Sequence, residues 1–156
     1  MIHHNPMMIA VAPNGARKQK TDHSSLPVTA SELADSAVEC RDAGACMIHL
    51  HVRDGQGGHS LDVNAYRAAT TAVRNAVGDD MIIQITTEAV GIYSIDQQIQ
   101  TVQELKPEAV SLAVRELCPR AEDEIKAASF FAWLQQERVA AQYILYSAAD
   151  VERFDA

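Results

Sequence analysis

Short apolar runs of strand length alternate with longer segments whose apolar residues recur at helical spacing, from one end of the chain to the other. The pattern predicts a first strand over residues 8–12 and then the loop "PNGARKQKTDHSSLP". A helix opens at Thr29, where Thr29 and Glu32 have the spacing of a capping box. It carries Leu33, Ala37 and Cys40 and stops at Gly44, a natural left-handed terminus. The second strand covers 46–53. The helix after it starts near Asp62, shows Tyr66, Ala69, Val73 and Ala76 on one face, and ends at Gly78. A third strand spans 81–87. Its helix begins at Ser94 with Gln97 completing a second box, shows Ile99, Val102 and Leu105, and stops before Pro107. A fourth strand spans 109–114, and the helix over 122–137 shows Ile125, Ala128, Phe131 and Leu134. A fifth strand spans 140–146, and "SAAD" at 147–150 opens another helix.

Strict β/α alternation implies a parallel sheet with helices outside it. Doubly wound sheets and (β/α)8 barrels both begin this way. The first strand-to-helix turn has no G-x-G-x-x-G or P-loop spacing, which weakens a nucleotide-binding reading. The glycine-rich "GQGGH" at 55–59 reads as a flexible loop.

Side chains alternate across a strand, so His49, His51 and Arg53 fall on one face of the second strand and Ile48, Leu50 and Val52 on the other. The third strand divides into Gln84, Thr86 and Glu88 against Ile83, Ile85 and Thr87. The fourth divides into Ser111, Ala113 and Arg115 against Val110, Leu112 and Val114. Parallel sheets are covered on both sides, so these polar faces call for a reason other than solvent. Polar residues facing inward near the C-terminal strand ends are where barrel enzymes keep their chemistry.

Two imidazoles at i and i+2 on one strand face can point at a single metal ion and leave coordination positions open for substrate. Two core histidines bonded to backbone or carboxylates would share that spacing; the buried polar face favours the metal. Cys46 lies at odd offset from both and faces away. Asn14, Arg17, Lys18 and Lys20 form a basic patch just past the first strand, suited to a carboxylate or a phosphate, although Lys18 and Lys20 equally suit a solvated loop. Arg53 and Asp54 can form a simple ion pair, and Glu88 can simply orient a histidine.

Composition narrows the partners. A formal net charge of −8 argues against nucleic acid or an anionic membrane. No run of roughly eighteen apolar residues is present to span a bilayer. The N-terminal stretch "MIHHNPMMIAVAPNG" has no basic leader region or small-residue cleavage site, and three widely spaced cysteines suit reduced thiols in a cytoplasmic protein.

The segments "APNGARKQKTDHSSLPVT", "CRDAGACMIHLHVRD", "GGHSLD", "QITTEAVGIY", "PEAVSLAVREL" and "YILYSAADVERF" resemble, in order, the β-keto acid cleavage enzymes. "AGA-x-x-x-H-x-H-x-R-D" is the most distinctive piece. The resemblance implies a (β/α)8 TIM barrel of which this chain holds about the first five β/α units, a single incomplete domain over residues 1–156. It implies zinc held by His49, His51 and a late-strand glutamate. It also implies condensation of a β-keto acid with acetyl-CoA to give acetoacetate and a new acyl-CoA. Thr86 and Ser111 match positions of substrate-binding hydroxyls, Glu88 falls near another substrate contact, and Asn14 and Arg17 of the first loop are further substrate-binding candidates. Arg17 stands where an aminohexanoate-cleaving member has a glutamate, so an anionic or neutral keto acid is expected rather than an amino-substituted one.

Two other readings share the His-x-His pair: a metal-dependent hydrolase, and a half-barrel that keeps the fold without the chemistry. In the hydrolase pattern that motif belongs to the first strand, whereas here a β/α unit precedes it. A complete barrel takes about 250 residues. The expectation is therefore a fragment, or a homo-oligomer completing the barrel in trans, and little turnover from the 156-residue chain alone. The catalytic residues implied by the resemblance lie on late strands.

Overall fold

The computed structural model describes residues 7–155; residues 1–6, the start of the stretch read as lacking a leader, lie outside it. The elements are β1 (Ala10–Val11), α1 (Ala30–Asp42), β2 (Met47–Leu50), β3 (Val52–Arg53), β4 (His59–Ser60), α2 (Val63–Val77), β5 (Ile82–Thr86) and α3 (Ile95–Leu105). They continue with β6 (Ala109–Ala113), α4 (Val114–Leu117), a 3-10 turn (Ala121–Asp123), α5 (Glu124–Gln136), β7 (Ala140–Ile144) and α6 (Ala148–Asp155). β1, β2, β5, β6 and β7 form one sheet in that order, every pair parallel. β3 and β4 form a separate antiparallel hairpin. This is an α/β fold with a parallel sheet.

Local chemistry starts the helices where the spacing predicts. Thr29 accepts from the Glu32 backbone while the Glu32 carboxylate accepts from the Thr29 backbone, and Ser94 and Gln97 repeat the exchange at α3. The Asp62 carboxylate accepts from the Ala65 backbone at the head of α2. One sheet face supplies the core. Ile48, Leu50, Ile83, Ile85, Val110 and Leu112 are buried among Leu33 and Ala37 of α1, Tyr66 and Val73 of α2, Val102 of α3 and Leu134 of α5. Burying each large aliphatic chain stabilises the fold by about 1.5–3 kcal/mol. The apolar alternation therefore holds the sheet against its helices and leaves His49, Gln84, Thr86 and Ser111 on the other face.

Three details depart from the sequence pattern. The second strand does not run unbroken through 46–53. It leaves the sheet after Leu50, and β3 turns off to pair with β4. The "GQGGH" segment is accordingly the tip of a hairpin, with Gly57 at a φ of 83° that a side chain would strain. The fourth strand stops at Ala113, and Val114–Leu117 is a helical turn, so Arg115 leaves the sheet and lays its guanidinium 3.4 Å from the Tyr146 ring centroid. On α5 the buried positions are Ala127, Phe130 and Leu134, while Ile125 is 83% exposed. The Phe130–Phe131 doublet fits two helical phases. The 3-10 turn ahead of α5, tied by the Arg120–Asp123 ion pair, sets the one observed.

Candidate metal and substrate site

The polar sheet face carries the predicted pair. His49, on β2, and His51, just past it, bring their Nε2 atoms to 3.1 Å from each other. Two nitrogens bound at about 2.0–2.1 Å to one tetrahedral ion stand about 3.3 Å apart, so the spacing fits a shared ion. His49 Nδ1 lies 2.8 Å from Gln84 Oε1 on the neighbouring strand, and Gln84 Nε2 donates to Gln142 Oε1 on β7. A glutamine oxygen can only accept, so the proton of His49 sits on Nδ1 and its Nε2 turns a lone pair toward His51.

His51 is held through its backbone. Its N–H donates to Asn14 Oδ1 at 3.1 Å, and Asn14 Nδ2 donates to its carbonyl at 2.8 Å. One buried carboxamide thus replaces the neighbouring strand where β1 has already ended, which lets β2 break without leaving polar groups bare. Both polar ends of Asn14 are engaged by His51, so Asn14 fixes the His51 backbone in place. The Arg53 guanidinium fastens the same loop. It donates to the carbonyls of Gly15 and Ala16 at 2.6 Å each, of Lys18 at 3.1 Å and of Gly57 at 3.2 Å. Asp54, expected as its ion-pair partner, instead accepts from the backbones of Gln56 and Gly58 inside the hairpin.

A third imidazole was missed in the glycine-rich loop. His59 is buried against His51 with ring centroids 5.2 Å apart, and its Nε2 donates to the Glu88 carbonyl at 2.8 Å. The only sequence signal was one histidine closing a glycine run; pairing of β3 with β4 brings it in. Burial pushes all three imidazoles below their ordinary pKa, His51 down to about 3. For His51 the neighbouring imidazoles and Arg53 add to that effect. Neutral rings are what a metal requires.

The loop after β5 completes the site. The Glu88 backbone N–H donates to Thr86 Oγ1, its carbonyl accepts from His59, and the next N–H, of Ala89, donates to Glu116. Val90 follows at a φ of 44°, strained for a β-branched residue. So pinned, the Glu88 carboxylate stands 3.7 Å from the mostly exposed Arg17 and 3.8 Å from His51 Nδ1. His49, Thr86, Glu88, Ser111, Glu116 and Tyr146 are among the residues lining a cavity of about 80 Å³ at the C-terminal strand ends. The Ser111 hydroxyl is buried there, directly across from Thr86, with no hydrogen-bond partner in the protein. An orphaned hydroxyl beside a cavity is available to a ligand. Among the described residues no group of three or more His, Cys, Asp or Glu is placed to hold a metal ion. Lys18 and Lys20 stay out of the site, paired with Asp22 and Glu32.

A family model described as beta-keto acid cleavage enzyme matches residues 6–156. The chain belongs to the β-keto acid cleavage enzymes. It is 34% identical over 106 residues to the 3-keto-5-aminohexanoate cleavage enzyme of Fusobacterium nucleatum, an alignment covering 68% of this chain and 38% of that protein. To the 3-oxoadipate:acetyl-CoA acetyltransferase of Cupriavidus necator it is 30% identical over 109 residues, 69% of this chain and 37% of the relative. To the 3-dehydrocarnitine:acetyl-CoA trimethylamine transferase of Rhizobium meliloti it is 35% identical over 81 residues, 51% and 27%. The alignments with these β-keto acid cleavage relatives thus span well under half of their length.

Among solved structures, phosphonopyruvate hydrolase superposes with a TM-score of 0.53 at 14% identity, covering 96% of this chain and 56% of that one. D-Glucarate dehydratase from Agrobacterium tumefaciens gives 0.51 at 19% identity, covering 89% and 33%. At these identities the likeness is one of fold, and the neighbours are TIM-barrel-like. No helix of the described residues is long and apolar enough to cross a membrane.

Proposed function

We propose that the chain is the N-terminal portion of a (β/α)8 barrel, a single incomplete domain of about five β/α units, whose complete form is a zinc-dependent β-keto acid cleavage enzyme. The complete enzyme condenses a β-keto acid, R–CO–CH2–COO⁻, with acetyl-CoA to give acetoacetate and R–CO–S-CoA. Family membership supports the reaction class, and the names of the relatives support acetyl-CoA as co-substrate. The observation that carries the metal is the 3.1 Å approach of two neutral imidazole Nε2 atoms at the C-terminal end of a parallel sheet.

In this reading His49 and His51 hold the zinc, which as a Lewis acid stabilises charge on the β-carbonyl oxygen. Ser111, whose hydroxyl has no partner in the protein, and Thr86 beside it hydrogen-bond the substrate. Arg17 attracts its carboxylate, Glu88 borders the pocket, and Asn14 keeps His51 in place. The third ligand and the groups that move protons belong to later strands, so turnover needs the complete barrel, in one chain or as a homo-oligomer of a cytoplasmic enzyme.

Screening β-keto acids for acetoacetate release dependent on acetyl-CoA, with the complete barrel, tests the reaction. Release with an anionic or neutral keto acid is expected; ester or amide hydrolysis without CoA dependence contradicts it. Arg17→Glu is expected to shift preference toward cationic keto acids, and an unchanged preference would remove Arg17 from the pocket.

A further inference from the structure

We infer that Glu88 is a positioning residue acting through His51: it accepts the His51 Nδ1–H once a metal is held, and Arg17 competes for the same carboxylate. The inference rests on His49 and His51 being metal ligands. His51 Nδ1 is buried and has no hydrogen-bond partner, although the Glu88 carboxylate stands 3.8 Å away.

The proton positions account for that gap. His49 keeps its proton on Nδ1 for Gln84, so its Nε2 accepts, and the 3.1 Å contact between the rings then needs the proton of His51 on Nε2. His51 Nδ1 is left a bare lone pair facing a carboxylate, and two acceptors do not bond. A neutral imidazole bound to a metal through Nε2 must instead carry its proton on Nδ1. That tautomer turns the bare acceptor into a buried donor aimed at Glu88, and about 1 Å of closure makes a charge-assisted hydrogen bond.

Carboxylate partners of this kind fix ring orientation and raise ligand basicity. The rest of the loop is built to hold Glu88 there. Thr86 fixes its N–H, His59 its carbonyl and Glu116 the following N–H, so only the side chain is free to move. Its other neighbour is Arg17, whose side chain is 80% exposed and draws the carboxylate outward from 3.7 Å. Glu88 lies on the Nδ1 side of His51, away from the Nε2 pair, and so acts on the metal through the ring.

The test is zinc affinity of the full 156-residue chain, read by competition with a chromophoric chelator, for wild type, Glu88→Gln and Arg17→Ala. Thermal melts of the metal-free proteins confirm that each folds. Glu88→Gln keeps the shape and removes the charge, and is expected to weaken zinc by about tenfold or more. Arg17→Ala frees the carboxylate and is expected to tighten zinc by up to about fivefold, the worth of an exposed ion pair. A purely structural role would not move the two variants in opposite directions. Wild-type affinity in Glu88→Gln, or weakening in both variants, would overturn the inference and leave the metal site standing. A wild-type chain that binds no zinc would remove the metal site, and this inference with it.

Discussion

Burial holds the His51 imidazole uncharged, with a pKa of about 3 against an ordinary 6.5. Between those values the unfolded metal-free chain carries a proton that the folded chain lacks. Stability therefore rises with pH across that window, is complete above 6.5 and is lost as pH falls toward 3. His49 and His59, shifted the same way, add to it. The thermal midpoint of the metal-free chain should drop between pH 7 and pH 5, and drop less in His51→Gln, which cannot titrate; equal slopes would contradict this. Asn14 is the other residue on which the site turns. Asn14→Ala leaves the buried N–H and carbonyl of His51 unpaired, about 1–3 kcal/mol for each such group. It should lower the denaturant midpoint and also weaken metal binding, whereas a truncation in the core remote from the site should do only the first. His-x-His was legible because period-2 alternation needs only neighbouring residues. The hold of Asn14 on His51 was not, since it spans 37 positions and depends on β1 ending early.

The same division holds for whole elements. The capping boxes at Thr29 and Ser94 are readable because donor and acceptor lie three residues apart. Thr29→Ala should cost about 1 kcal/mol, measured by chemical denaturation, with no change at the site. The break after Leu50 is decided instead by two loops meeting. Arg53 donates to four carbonyls, three in the loop after β1 and one at the hairpin tip, and those acceptors are scattered in sequence. Lysine has one point charge where arginine has a planar fork. Arg53→Lys should therefore loosen both loops, seen as faster amide exchange over residues 14–18 and 55–58, with α1 and α2 protected as before. Unchanged exchange in both loops would show that Arg53 is not the fastener. The phase of α5 was misread for a related reason: a Phe–Phe doublet offers two equivalent inward faces, and the turn before the helix chooses between them.

At the scale of the molecule, alternation of strands and helices made the parallel sheet legible, and the order β1-β2-β5-β6-β7 follows the chain. In the described sheet β1 and β7 each have one neighbour. Across the sheet Met8, Ala10, Met47, Ala109, Ala140 and Ala141 line a groove with Gln84 and Gln142, and Met7, Met8 and Ile9 are exposed. Exposed parallel edges and apolar surface favour association. Light scattering of the 156-residue chain should give a mass above the 17.0 kDa of one copy. Because no group of three or more potential metal ligands is brought together among the described residues, that chain should release little acetoacetate on its own. A monomer with full CoA-dependent turnover would contradict both the incomplete barrel and the late-strand ligand. The proposed site requires that His49 and His51 share one ion. Its most direct test is the metal content of the chain purified without chelator, beside His49→Ala and His51→Ala. Bound zinc is expected in the wild type and its loss in each variant; no metal in the wild type, or as much in either variant, would contradict a shared site.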